Sequence, residues 1–199
     1  RVVIAMIDPN PKVSGGGIRA IGQAGIEVVT GVLKAEARLL NEAFIKHVTK
    51  KVHFVTLKVA QTLDGRIATA KGESKWITGE RGREAGRRLR DRNDAILVGI
   101  NTVLKDDPSL TTRIPNGRDP IRIIVDSRLR IPLSAKVLTQ RSTAKTVVAT
   151  LAGASKTKVN KVRATGAEVL FVKRENDRVS LRDLMGRLGG MGIMSVLIE

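Results

Sequence analysis

The sequence predicts a layered α/β protein in which much of the strand pairing is parallel. Short apolar runs rich in Val, Ile and Leu recur at strand length, stretches of helical length separate several of them, and no repeat or low-complexity tract interrupts the series. Val2 to Ile7 reads as a buried strand that Pro9 and Pro11 end, because proline cannot continue a ladder. Ser14 is placed to cap a helix running to about Ala24, Gly25 to end it, and Ile26 to Thr30 to form the next strand. Between Lys34 and His47, the residues Leu39, Leu40, Ala43, Phe44 and His47 recur at three- and four-residue spacing, which predicts one amphipathic helix with those side chains inside.

The helical period stops at Lys50-Lys51, so residues 1–50 and 51–199 are expected to be separate domains. In the second, strands are predicted over Phe54–Ala60, Ala95–Val98, Ile121–Val125, Thr146–Ala149, Glu168–Val172 and Met194–Ile198. Helices are expected over Arg81–Arg92, Lys156–Ala164 and Leu181–Leu188.

Composition narrows the function. Zero cysteines remove disulfides and thiolate metal sites, and two histidines are too few for a zinc cage, so no metal site is expected in these residues. One Trp, three Phe and no Tyr leave little to build a stacking platform for single-stranded nucleic acid. The formal charge of +17 attracts polyanions, yet the basic residues run from Arg1 to Arg187 in short clusters rather than one arm. A nucleic-acid partner is therefore not expected, and the same excess suits a phosphorylated metabolite and a dinucleotide. No apolar run reaches about 18 residues, so neither a membrane span nor a signal peptide is read, and a cytoplasmic address is the expectation.

Most local motifs read as structural. Gly15-Gly16-Gly17 lacks the Lys-Ser/Thr of a phosphate loop and is expected to be a flexible helix entry. His47 on an apolar helix face reads as a packed or cap residue, His53 has no evident acid partner, and no Ser/His/Asp set is recognisable.

The stretch from Leu57 to Arg113 differs, because several local rules break there together. Lys58 interrupts an apolar strand, the sole Trp sits in a polar loop at 76, and Asp106-Asp107-Pro108 follows a buried strand. Such departures concentrate at functional sites, and α/β sheets bind ligands beyond the carboxyl ends of their strands. Trp76 would give a flat wall for a ring, and Arg90 with Arg113 would hold a phosphate by forked hydrogen bonds.

The order of blocks is specific. Lys-x-Ala-x-Thr-Leu-Asp-Gly from Lys58, Gly-Glu-Ser-x-Trp-Ile-Thr from Gly72, and Val-Gly-x-x-Thr-Val-x-x-Asp-Asp-Pro-x-Leu-Thr-x-Arg from Val98 are followed by Pro-x-Arg-Ile-Ile-Val-Asp-Ser from Pro120 and Ser-Val-Leu-Ile-Glu ending at Glu199. This pattern resembles the reductase half of the bifunctional riboflavin-biosynthesis deaminase/reductases. The resemblance implies a dihydrofolate-reductase-like domain that uses NADPH to reduce the ribosyl group of 5-amino-6-(5-phosphoribosylamino)uracil to a ribityl chain. It implies NADPH contacts from Ala60, Trp76, Thr102, Asp106 and Ser127, and substrate contacts from Ser74, Arg90, Leu110, Arg113 and Glu199. Lys58 is added as a catalytic candidate beside Asp106, since its ammonium would hydrogen-bond the opened sugar or the imine at the ribose carbon. Ser127 and Arg128 are candidates for the phosphate that distinguishes NADPH from NADH.

Residues 1–50 resemble the end of the deaminase half, a cytidine-deaminase-like α/β domain, without its His-x-Glu and Pro-Cys zinc motifs. Zinc is expected only in that part of the family. The chain thus reads as an internal piece of a longer enzyme, continued in the family by a glycine-rich cofactor loop and strands expected to flank the final one. A homo-oligomer is expected. The competing readings are a non-catalytic or altered-substrate relative and a basic nucleic-acid-binding protein.

Overall fold

Strands whose residues are apolar at successive positions need cover on both faces, and the computed structural model, which describes residues 1–74 and 76–199, shows how they obtain it. The chain folds as two compact units, Arg1–Phe54 and Val55–Glu199. In the first, β1 (Val2–Ile4) pairs in parallel with β2 (Val28–Thr30), and α1 (Gly16–Gln23) lies between them in sequence. The cap of α1 is Gly15, not Ser14. Its φ of 74° lies in the left-handed region that glycine enters freely, and no side chain caps the helix.

The single helix expected over 34–47 is two, α2 (Lys34–Leu40) and α3 (Glu42–Lys50). Asn41 breaks it by leaving helical geometry and donating its side-chain amide to the Ala37 carbonyl, in competition with the backbone. Leu39 and Leu40, expected inside, are 71% and 85% exposed.

The larger sheet has six strands in the order β3-β10-β4-β5-β6-β7. These are β3 (Phe54–Leu57), β4 (Ala95–Gly99), β5 (Ile121–Val125), β6 (Thr146–Thr150), β7 (Glu168–Phe171) and β10 (Ser195–Ile198). From β10 to β7 every pairing is parallel, for example Leu197 with Ile96 and Leu97 with Ile123. Alternate residues feed two cores. Ile96, Val98, Ile124, Val148 and Leu197 face one, with α5 (Ile100–Asp106), α6 (Lys136–Thr139) and α7 (Lys156–Ala164) packed there through Val103, Val137 and Val159. Ala95, Leu97, Ile123, Val147 and Val196 face the other, under Leu184 and Leu188 of α8 (Leu181–Gly190) and Val179 of a small hairpin, β8 (Arg174–Glu175) with β9 (Arg178–Val179). The remaining helix, α4 (Glu80–Arg92), has no buried residue of its own, although Leu89 packs partly against the first core.

Two expectations are corrected here. The strand from Phe54 stops at Leu57, so Lys58 follows a strand end, and its N–H donates to Ile198 O at 2.9 Å. The final strand does not lack neighbours, since β3 and β4 flank β10 and both precede it in the chain. Among the described residues, no helix is long and apolar enough to cross a membrane.

The start of β10 is held by Asp94. One carboxylate oxygen accepts from Met194 N, Ser195 N and Ser195 Oγ, each at 3.0 Å, and the other meets Arg118 at 3.3 Å. Burial pushes this carboxyl up, but those donors outweigh it and hold it below its ordinary value. A depressed folded value means that the stabilisation is full above the unfolded value and is lost as pH falls through the folded one. Asp94→Ala is expected to cost about 1 to 3 kcal/mol near neutral pH, because it strands buried donors. The gap from wild type in urea unfolding should narrow only as pH drops below the usual carboxylate range.

Candidate active site

Parallel strands end on one side of the sheet, and there β3, β10 and β4 deliver three groups side by side: Lys58 just past β3, Glu199 just past β10, and Gly99, from which α5 departs. The seven-residue α5 presents Thr102 and Asp106 at i and i+4, hence on one face. A cavity of about 740 Å³ opens over this edge. It is lined by Lys58, Ala60, Ser74, Trp76, Arg90, Thr102, Asp106, Leu110, Arg113 and Glu199, so ten of the twelve residues singled out from sequence meet in one place. Ser127 and Arg128 are the exceptions. They follow β5 on the same side of the sheet, where the Ser127 hydroxyl accepts from Val179 N at 3.0 Å, and neither lines the cavity. Lys75, within the Gly-Glu-Ser-Lys-Trp block, lies outside the described residues.

The strongest contact in the cavity is an ion pair. Arg90 grips Glu199 with two parallel bonds, Nε to Oε1 at 3.0 Å and Nη2 to Oε2 at 2.7 Å, and its Nη1 donates to Thr111 O at 3.1 Å. Lys58 Nζ stands 3.4 Å from the same carboxylate. Burial pushes the Glu199 carboxyl up, and the Arg90 and Lys58 cations more than offset it, holding it below the glutamate range. The fork of Arg90 is thus closed on Glu199 rather than open beside Arg113.

Arg113 has φ at 53° and makes no hydrogen bond among the described residues. Desolvation, then the neighbouring Arg90 and Arg87, push its guanidinium below its ordinary value, while Glu199 works the other way. Leu110, φ 56° and 2% exposed, pins the loop between them into the core.

Trp76 is 74% exposed, with the Arg83 guanidinium 4.5 Å from its ring centre. Arg83 is itself anchored to Glu80 Oε2 at 3.1 Å and Thr78 O at 2.9 Å.

Sequence reasoning missed Arg83, Arg87 and Lys136 as part of this lining. Arg83, Arg87 and Arg90 recur at i, i+4 and i+7, a stripe legible in sequence once α4 is drawn. Lys136 was not legible, since it arrives on the short α6, where its N–H donates to Asp107 Oδ1 at 2.8 Å.

The histidines form a separate feature in the first unit. His47 and His53 meet edge to face at 6.4 Å, and burial and then His47 depress the His53 imidazole. Among the described residues, no group of three or more His, Cys, Asp and Glu side chains is arranged to hold a metal ion.

Comparison with known proteins bears on the whole chain. The family model described as the RibD C-terminal domain matches residues 53–199. The riboflavin biosynthesis protein RibD of Actinobacillus pleuropneumoniae is 44% identical over 199 residues, covering 100% of this chain and 53% of that protein. RibD of Aquifex aeolicus is 45% identical over 200 residues, covering 100% and 54%. The chain spans about half the length of the curated relatives it matches.

A crystal structure from Thermotoga maritima, a diaminohydroxyphosphoribosylaminopyrimidine deaminase/5-amino-6-(5-phosphoribosylamino)uracil reductase, matches with a TM-score of 0.83 at 37% identity, covering 100% of this chain and 53% of that one. A pyrimidine reductase-like protein of Corynebacterium diphtheriae, at 17% identity and a TM-score of 0.58 over 80% of this chain and 71% of its own, shares the fold. That fold is the dihydrofolate-reductase-like α/β architecture. With the match running from residue 53 to 199 and relatives above 40% identity along the whole length, this chain belongs to the family of the RibD C-terminal domain.

Proposed function

We propose that the cavity is a reductase site and that the chain carries out the NADPH-dependent reduction of the ribosyl group of 5-amino-6-(5-phosphoribosylamino)uracil to the ribityl form. The observation that carries this reading is convergence, in that residues chosen by motif from positions 58 to 199 line one cavity at the carboxyl edge of the sheet.

The lining fits a large anionic cofactor with a flat reactive ring. Trp76 offers an exposed indole, Ala60 a small surface, and Thr102 and Asp106 polar groups one helical turn apart. Six cationic side chains (Lys58, Arg83, Arg87, Arg90, Arg113 and Lys136) face three acidic ones (Asp106, Asp107 and Glu199), an excess of three positive charges. When bound, NADPH supplies the hydride. Ser127 and Arg128, beyond β5, would meet the ribose phosphate that marks it as NADPH.

On the substrate side, Ser74, Leu110 and Arg113 would position the nucleotide. Glu199, oriented by Arg90, would accept hydrogen bonds from substrate hydroxyls. The open-chain glycosylamine is an imine, and reduction needs a hydride at its carbon and a proton at its nitrogen. Lys58, held 3.4 Å from Glu199, is the residue we assign to donate toward that nitrogen or the opened sugar oxygen. The proposal extends to residues 1–50 as the end of a deaminase half whose zinc site lies in other sequence, and to a cytoplasmic homo-oligomer.

Three experiments test this reading. Trp76→Ala should weaken NADPH binding several-fold in calorimetric titration while the thermal midpoint barely moves, since the ring is exposed. An unchanged affinity rejects the cofactor assignment. Arg113→Gln should raise KM for the phosphorylated substrate by about 1.5 to 3 kcal/mol equivalent and leave KM for its dephosphorylated analogue alone. Glu199→Gln should destabilise the fold by about 3 kcal/mol or more, by unpairing a buried Arg90. Because the folded Glu199 value is depressed, its stabilisation is present at neutral and mildly acid pH and disappears as pH falls below the glutamate range. Wild type and the Gln variant should therefore converge only in strong acid.

A further inference from the structure

Resting on the reductase reading, we propose that Arg87 reads the phosphate monoester of the substrate, forming with Arg113 the cationic clamp that Arg90, closed on Glu199, does not complete. Three observations lead there, all independent of the family motifs.

The first is commitment. Of the three arginines that α4 turns to the cavity, Arg83 is fixed by Glu80, Thr78 O and the Trp76 ring, and Arg90 by Glu199 and Thr111 O. Among the described residues, Arg87 has only Nη1 against Glu80 Oε1 at 3.1 Å, and Glu80 is an exposed carboxylate already engaged by Arg83.

Satisfaction is the second. Arg87 Nε is buried and has no acceptor, an unusual state for a guanidinium N–H and a sign that the fork is parked rather than seated. A phosphate offers several acceptor oxygens, and the planar fork of arginine matches them two at a time.

Mutual charge is the third. Arg87, Arg90 and Arg113 line the same cavity, and the Arg113 guanidinium is held below its ordinary value by desolvation first and by Arg90 and Arg87 after it. A cavity lined by more cations than carboxylates attracts an anion, and a phosphate monoester brings about 1.5 to 2 negative charges at neutral pH. Gly86, one residue before Arg87, also lines the cavity, and a Cβ added there would meet Lys58 Cε at 3.6 Å.

The test is calorimetric titration of the full chain with ribose 5-phosphate, ribose and ADP. Wild type should bind ribose 5-phosphate at least about tenfold more tightly than ribose, and Arg87→Gln should remove most of that preference, as expected for a charge-assisted contact. Arg87→Lys, which keeps the charge without the fork, should lie between. Glu80→Gln separates reading from scaffolding, because it breaks the same ion pair yet releases Arg87. Its affinity for ribose 5-phosphate should equal or exceed that of wild type. The proposal is overturned if Arg87→Gln discriminates as wild type does, if Glu80→Gln loses as much as Arg87→Gln, or if Arg87→Gln weakens ADP rather than ribose 5-phosphate, which would assign the cation to the cofactor. Absence of reductase turnover in wild type, with its preference for ribose 5-phosphate intact, would instead count against the reductase reading alone.

Discussion

The Arg90–Glu199 ion pair is the contact on which the site depends. It joins the last turn of α4 to the end of β10 across 109 residues of sequence, and through Nη1 it also holds the 107–119 loop at Thr111. Both side chains are about nine-tenths buried, so neither charge is supported by solvent, and desolvating two ions is offset only when the geometry is good. Here it is bidentate, and Lys58 adds a second cation to the same carboxylate. The helix, the last strand, the loop and the residue after β3 are therefore positioned by one charge constellation. The helix needs such a tie, since it buries none of its own residues and carries Gly82 and Gly86 on its cavity side.

The 107–119 loop shows how much support a shaped wall requires. Asp107, Leu110, Arg113 and Asn116 all adopt left-handed φ, a conformation that costs a non-glycine residue roughly 1 kcal/mol or more. Asp119 offsets part of this by accepting from Thr112 N and Ser142 Oγ, both at 2.8 Å, while Gln140 donates to Ser109 O at 2.6 Å. Gly117 closes the loop with no room to spare, because a Cβ there would lie 2.5 Å from Ile114 and 2.7 Å from Thr112. The strain places a buried leucine and an exposed arginine three residues apart on the same cavity. A regular helix or strand does not give that pairing.

Much of the sheet was legible because strands covered on both faces are continuous apolar runs, and β5 and α7 fall where the sequence places them. Neighbours were not legible. Nothing local in Ser195 to Ile198 says that it inserts between β3 and β4, since pairing order is a property of the whole chain. Periodicity also misled at Leu39 and Leu40, where Asn41 broke the helix whose face they were to share. The helix α5 went unread because Ile100 to Asp106 follows directly on a buried strand with no intervening turn residue beyond Gly99. Lys58, Trp76, Asp106, Arg90 and Arg113 stood out as breaks in local pattern, the other site residues were named by resemblance, and all but Ser127 and Arg128 line one cavity.

The charge of +17 has a local component that the composition alone could not place. An excess of three positive charges in one cavity is a small share of the total, yet a cavity wall screens it less completely than open water does. Exposed pairs such as Arg88 with Glu84 and Arg174 with Asp177 neutralise charge at little energetic consequence. Cations gathered on a cavity wall act differently, because a low-dielectric surround lengthens the reach of each and makes an entering anion the cheapest way to relieve their repulsion. A strongly basic chain of this kind is therefore understood less by its sum of charges than by where counter-charge is missing. On α4 it is thin at Arg87, which shares Glu80 with Arg83 and lines the same cavity as Arg113.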